Sequence, residues 1–185
     1  MRRVSRVGPL RFVNLKGIAP RIIAGGLLLL VGLILLSGCG ESVPEPSGPP
    51  APDFSVKTLD GSDFTLSEHR GKVIILYAMA AWCPTCVPEA QALARIHREY
   101  RGRGVEVLIL DVWQGETEDQ LAQFKNSVQG GDHFWAMDRE NRWALAYEIR
   151  MLDTTVIIDR QGRIAYRDGY STPYQKLREE VESLL

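Results

Sequence analysis

The chain has three cysteines and three histidines among its 185 residues, and that scarcity limits its chemistry. A structural zinc site takes four ligands, usually cysteine and histidine in paired spacing. Here His69, His97 and His133 are scattered and Cys39 stands alone, so the Cys-x-x-Cys pair Cys83 and Cys86 supplies two ligands and no more. Zinc is a poor account of that pair. Acid is absent from residues 1–38, which carry Arg2, Arg3, Arg6, Arg11, Lys16 and Arg21. Without that segment 16 basic residues stand against 23 acidic ones, so the total charge of −1 conceals a domain at −7. Such a domain lacks the basic patch that nucleic-acid binding needs. A long apolar run is also missing. The stretch from Ile22 to Leu36 has 15 residues, short of the roughly 20 that cross a bilayer as a helix. No internal repeat is visible.

A basic segment, a short apolar core and small residues after it make a secretory signal peptide. It ends in Leu36-Ser37-Gly38-Cys39, which resembles a bacterial lipobox. That resemblance implies cleavage before Cys39 and lipid attachment to it. An uncleaved signal anchor is the alternative, and both place the rest of the chain outside the cytoplasm. The expected organisation is a signal peptide over 1–38, a tether over 39–52 and one domain over 53–185. The tether contains ESVPEPSGPPAP, too poor in large apolar residues to fold alone and expected to be semi-extended.

Within the domain, residues 54–66 alternate around Asp60-Gly61 and predict a hairpin. KVIILYAMA (72–80) and VEVLILDVW (105–113) read as buried strands. Helices are expected over 88–100, 116–128 and 141–149, with a short strand at 133–138 between the last two. TTVIID (154–159) and RIAYRDG (163–169) flank Arg160-Gln161-Gly162 and predict a second hairpin. A last helix is expected from Ser171 or Thr172 to Leu185, with Pro173 in its first turn. Strands alternating with helices imply an α/β layer architecture, and the closing hairpin makes its sheet mixed.

Cys83 and Cys86 fall between the first long strand and a helix, in AAWCPTCVPE. A structural disulfide closing so small a ring constrains the unfolded chain little. A redox pair fits better. The helix N-terminus favours a thiolate at the first cysteine, and the second is close enough to resolve a mixed disulfide.

Phe54, Asp60-Gly61, Leu66, Arg70-Gly71-Lys72, Trp82-Cys83-x-x-Cys86 and TTVIIDRQGRI together resemble thioredoxin-fold proteins of the membrane-anchored TlpA/ResA type. The resemblance covers residues 53–185. It implies a thioredoxin fold, a central mixed β-sheet flanked by helices with an N-terminal β-hairpin extension. The implied activity is an extracytoplasmic thiol–disulfide oxidoreductase with a redox disulfide Cys83–Cys86, reducing exported proteins such as apocytochrome c. A membrane thiol donor of the CcdA or DsbD kind would recharge it. No cofactor or metal is expected, and the chain is expected to be a monomer. Trp82, Pro84 and Thr85 would surround the cysteines. Trp113, Trp135 and Trp143 are expected as core or half-buried aromatics.

Glu89 matches the place where many ResA-like proteins carry a glutamate near the cysteines. A buried carboxylate there would raise a thiol pKa and could carry a proton. The family has a cis-proline before the late strand, where this chain has Asp153 followed by Thr154. A non-proline cis bond costs about 2.5–4 kcal/mol, so a trans bond is expected. Asp153 either places a carboxylate beside the thiols, raising the Cys83 pKa, or is a tolerated loop change. Two other functions fit less well. A peroxiredoxin would have proline and a hydroxyl ahead of its cysteine, where this chain has YAMAAW. A copper or soft-metal chaperone would add a soft donor, for which Met79 or Met151 are the candidates.

Overall fold

The structure, a computed structural model, describes residues 48–185. The expected signal peptide, Cys39 and most of the tether lie outside the described residues. Seven strands and four α-helices follow in order: β1 (Ser55–Lys57), β2 (Asp63–Thr65), β3 (Val73–Met79), α1 (Cys86–Tyr100), β4 (Val105–Asp111), α2 (Glu118–Ser127), β5 (Phe134–Met137), α3 (Arg142–Ala146), β6 (Thr154–Ile158), β7 (Ile164–Arg167) and α4 (Tyr174–Ser183). The main sheet has the order β5-β4-β3-β6-β7, and β1 and β2 form the expected separate hairpin. β3 pairs in parallel with β4 and antiparallel with β6, so the sheet is mixed.

β3 and β4 lie at the centre because their apolar runs can be buried on both faces. Successive side chains alternate between faces. Val73, Ile75, Tyr77 and Met79 pack with Leu93 and Ile96 of α1, Leu121 of α2 and Leu177 of α4. Ile74, Leu76 and Ala78 pack on the other face with Phe64, Trp143 and Tyr147. Both sheet edges are covered, which blunts their tendency to pair with other chains. On one side Leu59 N–H donates to Trp135 O at 2.7 Å.

The opposite edge shows where the tether reading stops too late. Gly48 to Pro52 do not hang free. Pro50 bridges Arg163, Ile164 N–H donates to Pro49 O at 2.9 Å, and Ala51 N–H donates to Gly162 O at 3.0 Å. Ala51 joins the core with Phe64 and Trp143, and the segment completes hydrogen bonds that β7 would otherwise leave to water.

α1 begins at Cys86, two residues before the predicted start. Pro88 is therefore inside the first turn, where its missing N–H costs nothing. α2 starts at the capping box of Thr117 and Gln120. Arg70 and Gly71 owe their place to a crossing contact: Gly71 has φ 85°, and Arg70 Nη1 donates to Gln161 O at 2.6 Å in the β6–β7 turn.

Candidate active site

The chain leaves β3 at Met79 and reaches α1 at Cys86 through a tight loop, with Cys83 N–H donating to Ala80 O at 3.0 Å. Cys83 and Cys86 are joined as a disulfide, with their Cα atoms 5.5 Å apart. Cys86 is fully buried and Cys83 is 4% exposed. The outer sulfur is thus the one an incoming group meets first. Pro84 and Thr85 between them are exposed.

The register of the sheet brings in the next residues. Ala78 pairs with Thr154 and Tyr77 with Thr155. Asp153, one residue before β6, therefore falls at the end of β3 where the cysteine loop begins. Its carboxyl is buried and accepts two hydrogen bonds. Tyr77 Oη donates to Oδ1 at 2.6 Å, and Thr85 Oγ1 donates to Oδ2 at 2.8 Å. Thr85 Oγ1 also lies 3.1 Å from Cys83 Sγ. Thr85 stands at the N-cap of α1 yet makes no side-chain cap bond, although threonine there usually caps. Its hydroxyl is used between sulfur and carboxylate instead. Burial, the Glu89 charge and the bond to Asp153 all push the Tyr77 phenol well above its ordinary pKa, so it stays a donor.

No cis peptide bond occurs among the described residues, and Asp153 adopts φ 56°. Aspartate tolerates this left-handed region better than most residues. Thr154 is buried beside it and donates to Met151 O at 2.8 Å.

Glu89 is 1% exposed on the inner side of α1. Thr155 Oγ1 donates to its Oε1 at 2.5 Å, and Thr172 N–H donates to its Oε2 at 2.8 Å. Burial raises its pKa to about 8, against the lowering effect of these two bonds and with help from the charges of Asp168 and Asp153. It hydrogen-bonds neither sulfur. The acid that is hydrogen-bonded towards Cys83 is Asp153.

A third buried acid lies on the other side of the cysteine loop and carried no signal in the sequence beyond its place at the end of an apolar strand. Asp111 closes β4, and burial, then the neighbouring Glu116 carboxyl, pushes its pKa up. Glu116 Oε2 accepts from Ala81 N–H at 2.8 Å, which ties this pair to the loop before Cys83.

The aromatics divide. Trp135 and Trp143 are core residues, each 1% exposed. Trp113 is the half-buried one, 50% exposed, and meets Trp82, 56% exposed, edge to face at 5.4 Å. The short β4–α2 connection carries it past the edge of the core to Trp82, the residue before Cys83. Met79 is in the core and Met151 is 63% exposed. Neither hydrogen-bonds a cysteine sulfur among the described contacts. His97 and His133, far apart in sequence, meet edge to face at 5.5 Å. His97 lies eleven positions after Cys86 along α1, about 16 Å at 1.5 Å per residue. These histidines cannot join the cysteines around one ion. Cys83, Cys86 and a carboxylate oxygen of Asp153 do lie within 4.8 Å of one another. With the sulfurs bonded to each other, that group offers no thiolate.

Residues 46–183 match the family model described as Redoxin. The chain is 28% identical over 161 residues to the thiol-disulfide oxidoreductase ResA of Geobacillus thermodenitrificans (strain NG80-2), covering 85% of this chain and 91% of that protein. It is 32% identical over 117 residues to ResA of Geobacillus kaustophilus (strain HTA426), covering 63% of this chain and 66% of that one. Among solved structures, a thioredoxin family thiol:disulfide interchange protein from Chlorobium tepidum TLS superposes with a TM-score of 0.68 at 22% identity, covering 76% of this chain and 98% of that one. A thioredoxin-like protein from Aeropyrum pernix gives 0.62 at 23% identity over 89% of this chain and 98% of that one. These two likenesses are of fold, and the fold is thioredoxin-like. The chain belongs to the Redoxin family, and the Cys83–Cys86 pair makes it a thiol–disulfide oxidoreductase.

Proposed function

We propose that the chain reduces disulfides in exported proteins, apocytochrome c among the candidates, from the outer face of a bacterial membrane to which lipid on Cys39 holds it. Cys83 is the attacking thiol and Cys86 resolves. A membrane thiol transporter of the CcdA or DsbD kind restores the dithiol, because the compartment itself is oxidising.

The observation that carries the reducing direction is the charge around the pair. Asp153 is hydrogen-bonded towards Cys83 through Thr85, and Glu89, which holds its proton up to about pH 8, lies behind without adding charge at neutral pH. Among the described residues no lysine, arginine or histidine bonds to the pair or to either acid. A carboxylate without a cation disfavours the thiolate. That disfavours the reduced form and moves the potential in the reducing direction. The exposed pair Trp82 and Trp113 suits an extended or partly unfolded polypeptide substrate.

Two measurements test this. The reduction potential should fall near about −270 mV, the thioredoxin range, and a value near about −120 mV would make the protein an oxidant. Cys86→Ser should accumulate mixed disulfides with exported proteins and Cys83→Ser should not. The reverse pattern would exchange the two roles.

A further inference from the structure

Thr85 has one hydroxyl proton and two neighbours competing for it. In the structure that proton goes to Asp153 Oδ2 at 2.8 Å, while the oxygen stands 3.1 Å from Cys83 Sγ. Once the disulfide is reduced, an ionised Asp153 keeps the proton, and the lone pairs of Thr85 are left to accept from the Cys83 S–H. A protonated Asp153 reverses this arrangement. It needs no proton from Thr85, whose hydroxyl can then turn and donate to a Cys83 thiolate. We propose that Asp153 is the proton partner of Cys83, acting through Thr85, so that the hydroxyl of Thr85 supports the thiol or the thiolate according to the state of Asp153.

The exchange balances. The Cys83 S–H bond breaks as its proton moves to Thr85, and the Thr85 proton forms an O–H bond on Asp153. The thiolate attacks one sulfur of the substrate disulfide. That S–S bond breaks, a mixed disulfide forms, and the departing substrate thiolate takes the proton from Asp153. Cys86, also within 4.8 Å of the carboxylate, yields its proton by the same group and attacks Cys83 Sγ. The second substrate thiolate leaves and is protonated in turn. Cys83 and Cys86 lose two electrons, and the substrate disulfide gains them as two thiols.

The titratable groups around Asp153 come from three sides. Tyr77 on β3 donates to Oδ1. Cys83, Cys86 and Glu89 belong to the cysteine loop and α1, and Asp168 follows β7. Tyr77 fixes the carboxyl, leaving Oδ2 to Thr85. Asp153 is thus a positioning and proton-holding residue, and Thr85 is the group that touches the reacting sulfur.

This rests on Cys83 as the attacking thiol, which the trapping experiment tests separately. The relay is tested on the reduced full-length chain by the pH profile of Cys83 alkylation with iodoacetamide. Fragment-ion mass spectrometry separates Cys83 from Cys86 and Cys39. Asp153→Asn should speed Cys83 alkylation about tenfold below its pKa, the change expected from losing one like-charge neighbour. The deciding variant is Thr85→Val. In the natural background it removes an acceptor for the thiol and should speed alkylation about threefold. In the Asp153→Asn background it removes a donor to the thiolate and should slow alkylation by a similar factor. A simple packing role gives the same sign in both. Equal signs, or no effect in either background, overturn the proposal. Tyr77→Phe guards against a variant at 153 that fails to fold. It touches the carboxylate and neither sulfur, and should still move the Cys83 profile; an unmoved profile overturns the relay as well.

Discussion

Glu89→Gln should make the fold more stable, and by an amount that depends on pH. The structure supplies both parts of the reason. Thr172 N–H donates to Oε2, so when Glu89 is neutral its proton sits on Oε1, and the Thr155 hydroxyl, which donates to Oε1 in the carboxylate, turns to accept it. A glutamine places its amide nitrogen where Oε1 lies and donates to Thr155 Oγ1, keeping its oxygen on Thr172 N–H. Both bonds survive the exchange. What disappears is the cost of ionising a carboxyl that burial has moved from 4.5 to about 8.

The sign follows from where the proton is held. Below pH 4.5 folded and unfolded chains both hold it, and the group is neutral in effect. Between 4.5 and about 8 the unfolded chain releases it and the fold does not, so stability falls by about 1.4 kcal/mol per pH unit. Above about 8 the loss is complete, at roughly 5 kcal/mol. At pH 7 the natural chain should be about 3 kcal/mol less stable than Glu89→Gln, a difference of about 10 °C in Tm for a domain of this size. Urea and thermal unfolding of the oxidised proteins at pH 4.5, 7 and 9, followed by circular dichroism, reads this directly, and the disulfide keeps the cysteines from titrating. The curves should converge at pH 4.5 and separate as pH rises. A constant difference across that range would mean that Glu89 gives up its proton as easily inside the fold as outside it, and the argument from burial would fail.

Three other outcomes follow from the sequence and structure. Cys39→Ala should abolish acyl labelling and normal processing; labelling that persists would remove the lipid anchor. His133 is buried without a hydrogen-bond partner among the described residues, and burial lowers its pKa from 6.5 to about 3, so the unfolded chain takes up a proton below 6.5 that the fold refuses. His133→Leu should therefore gain about 2 kcal/mol at pH 5 relative to its effect at pH 7.5, and equal effects at both pH values would refute this. Trp82→Ala should raise KM for a protein disulfide severalfold while leaving the reduction potential in place. A changed potential with an unchanged KM would make Trp82 a modulator of the cysteines rather than part of a docking rim.

How far the sequence revealed this arrangement depended on whether a residue's role is local. β3 and β4 were legible because a continuous apolar run can only be buried on both faces. The cysteine pair was legible from its spacing, and Glu89 and Asp153 from their distance to it in the aligned pattern. The segment from Gly48 to Pro52 was misread because hydrophobicity was the wrong measure. It is held by backbone bonds to Gly162 and Ile164, to which its composition gives no clue. The His97–His133 and Trp82–Trp113 contacts were hidden in the same way, since both depend on where separate elements come together.

Thr85 was expected beside the cysteines, but the role of the hydroxyls around them was invisible for a more specific reason. Tyr77, Thr85 and Thr155 are ordinary residues in an ordinary strand, loop and strand. They acquire chemistry only when the antiparallel register sets Tyr77 opposite Thr155 and brings Asp153 to the cysteine loop. Asp153 then gains two hydrogen bonds that help offset its left-handed backbone, a conformation that costs most other side chains about 1–2 kcal/mol. Proline at this position could accept from neither Tyr77 nor Thr85. The departure from the family pattern at 153 is therefore joined to the hydroxyls at 77 and 85. Restoring proline alone would leave a buried phenol without its carboxylate partner and return the Thr85 hydroxyl to the cap of α1 or to the sulfur of Cys83.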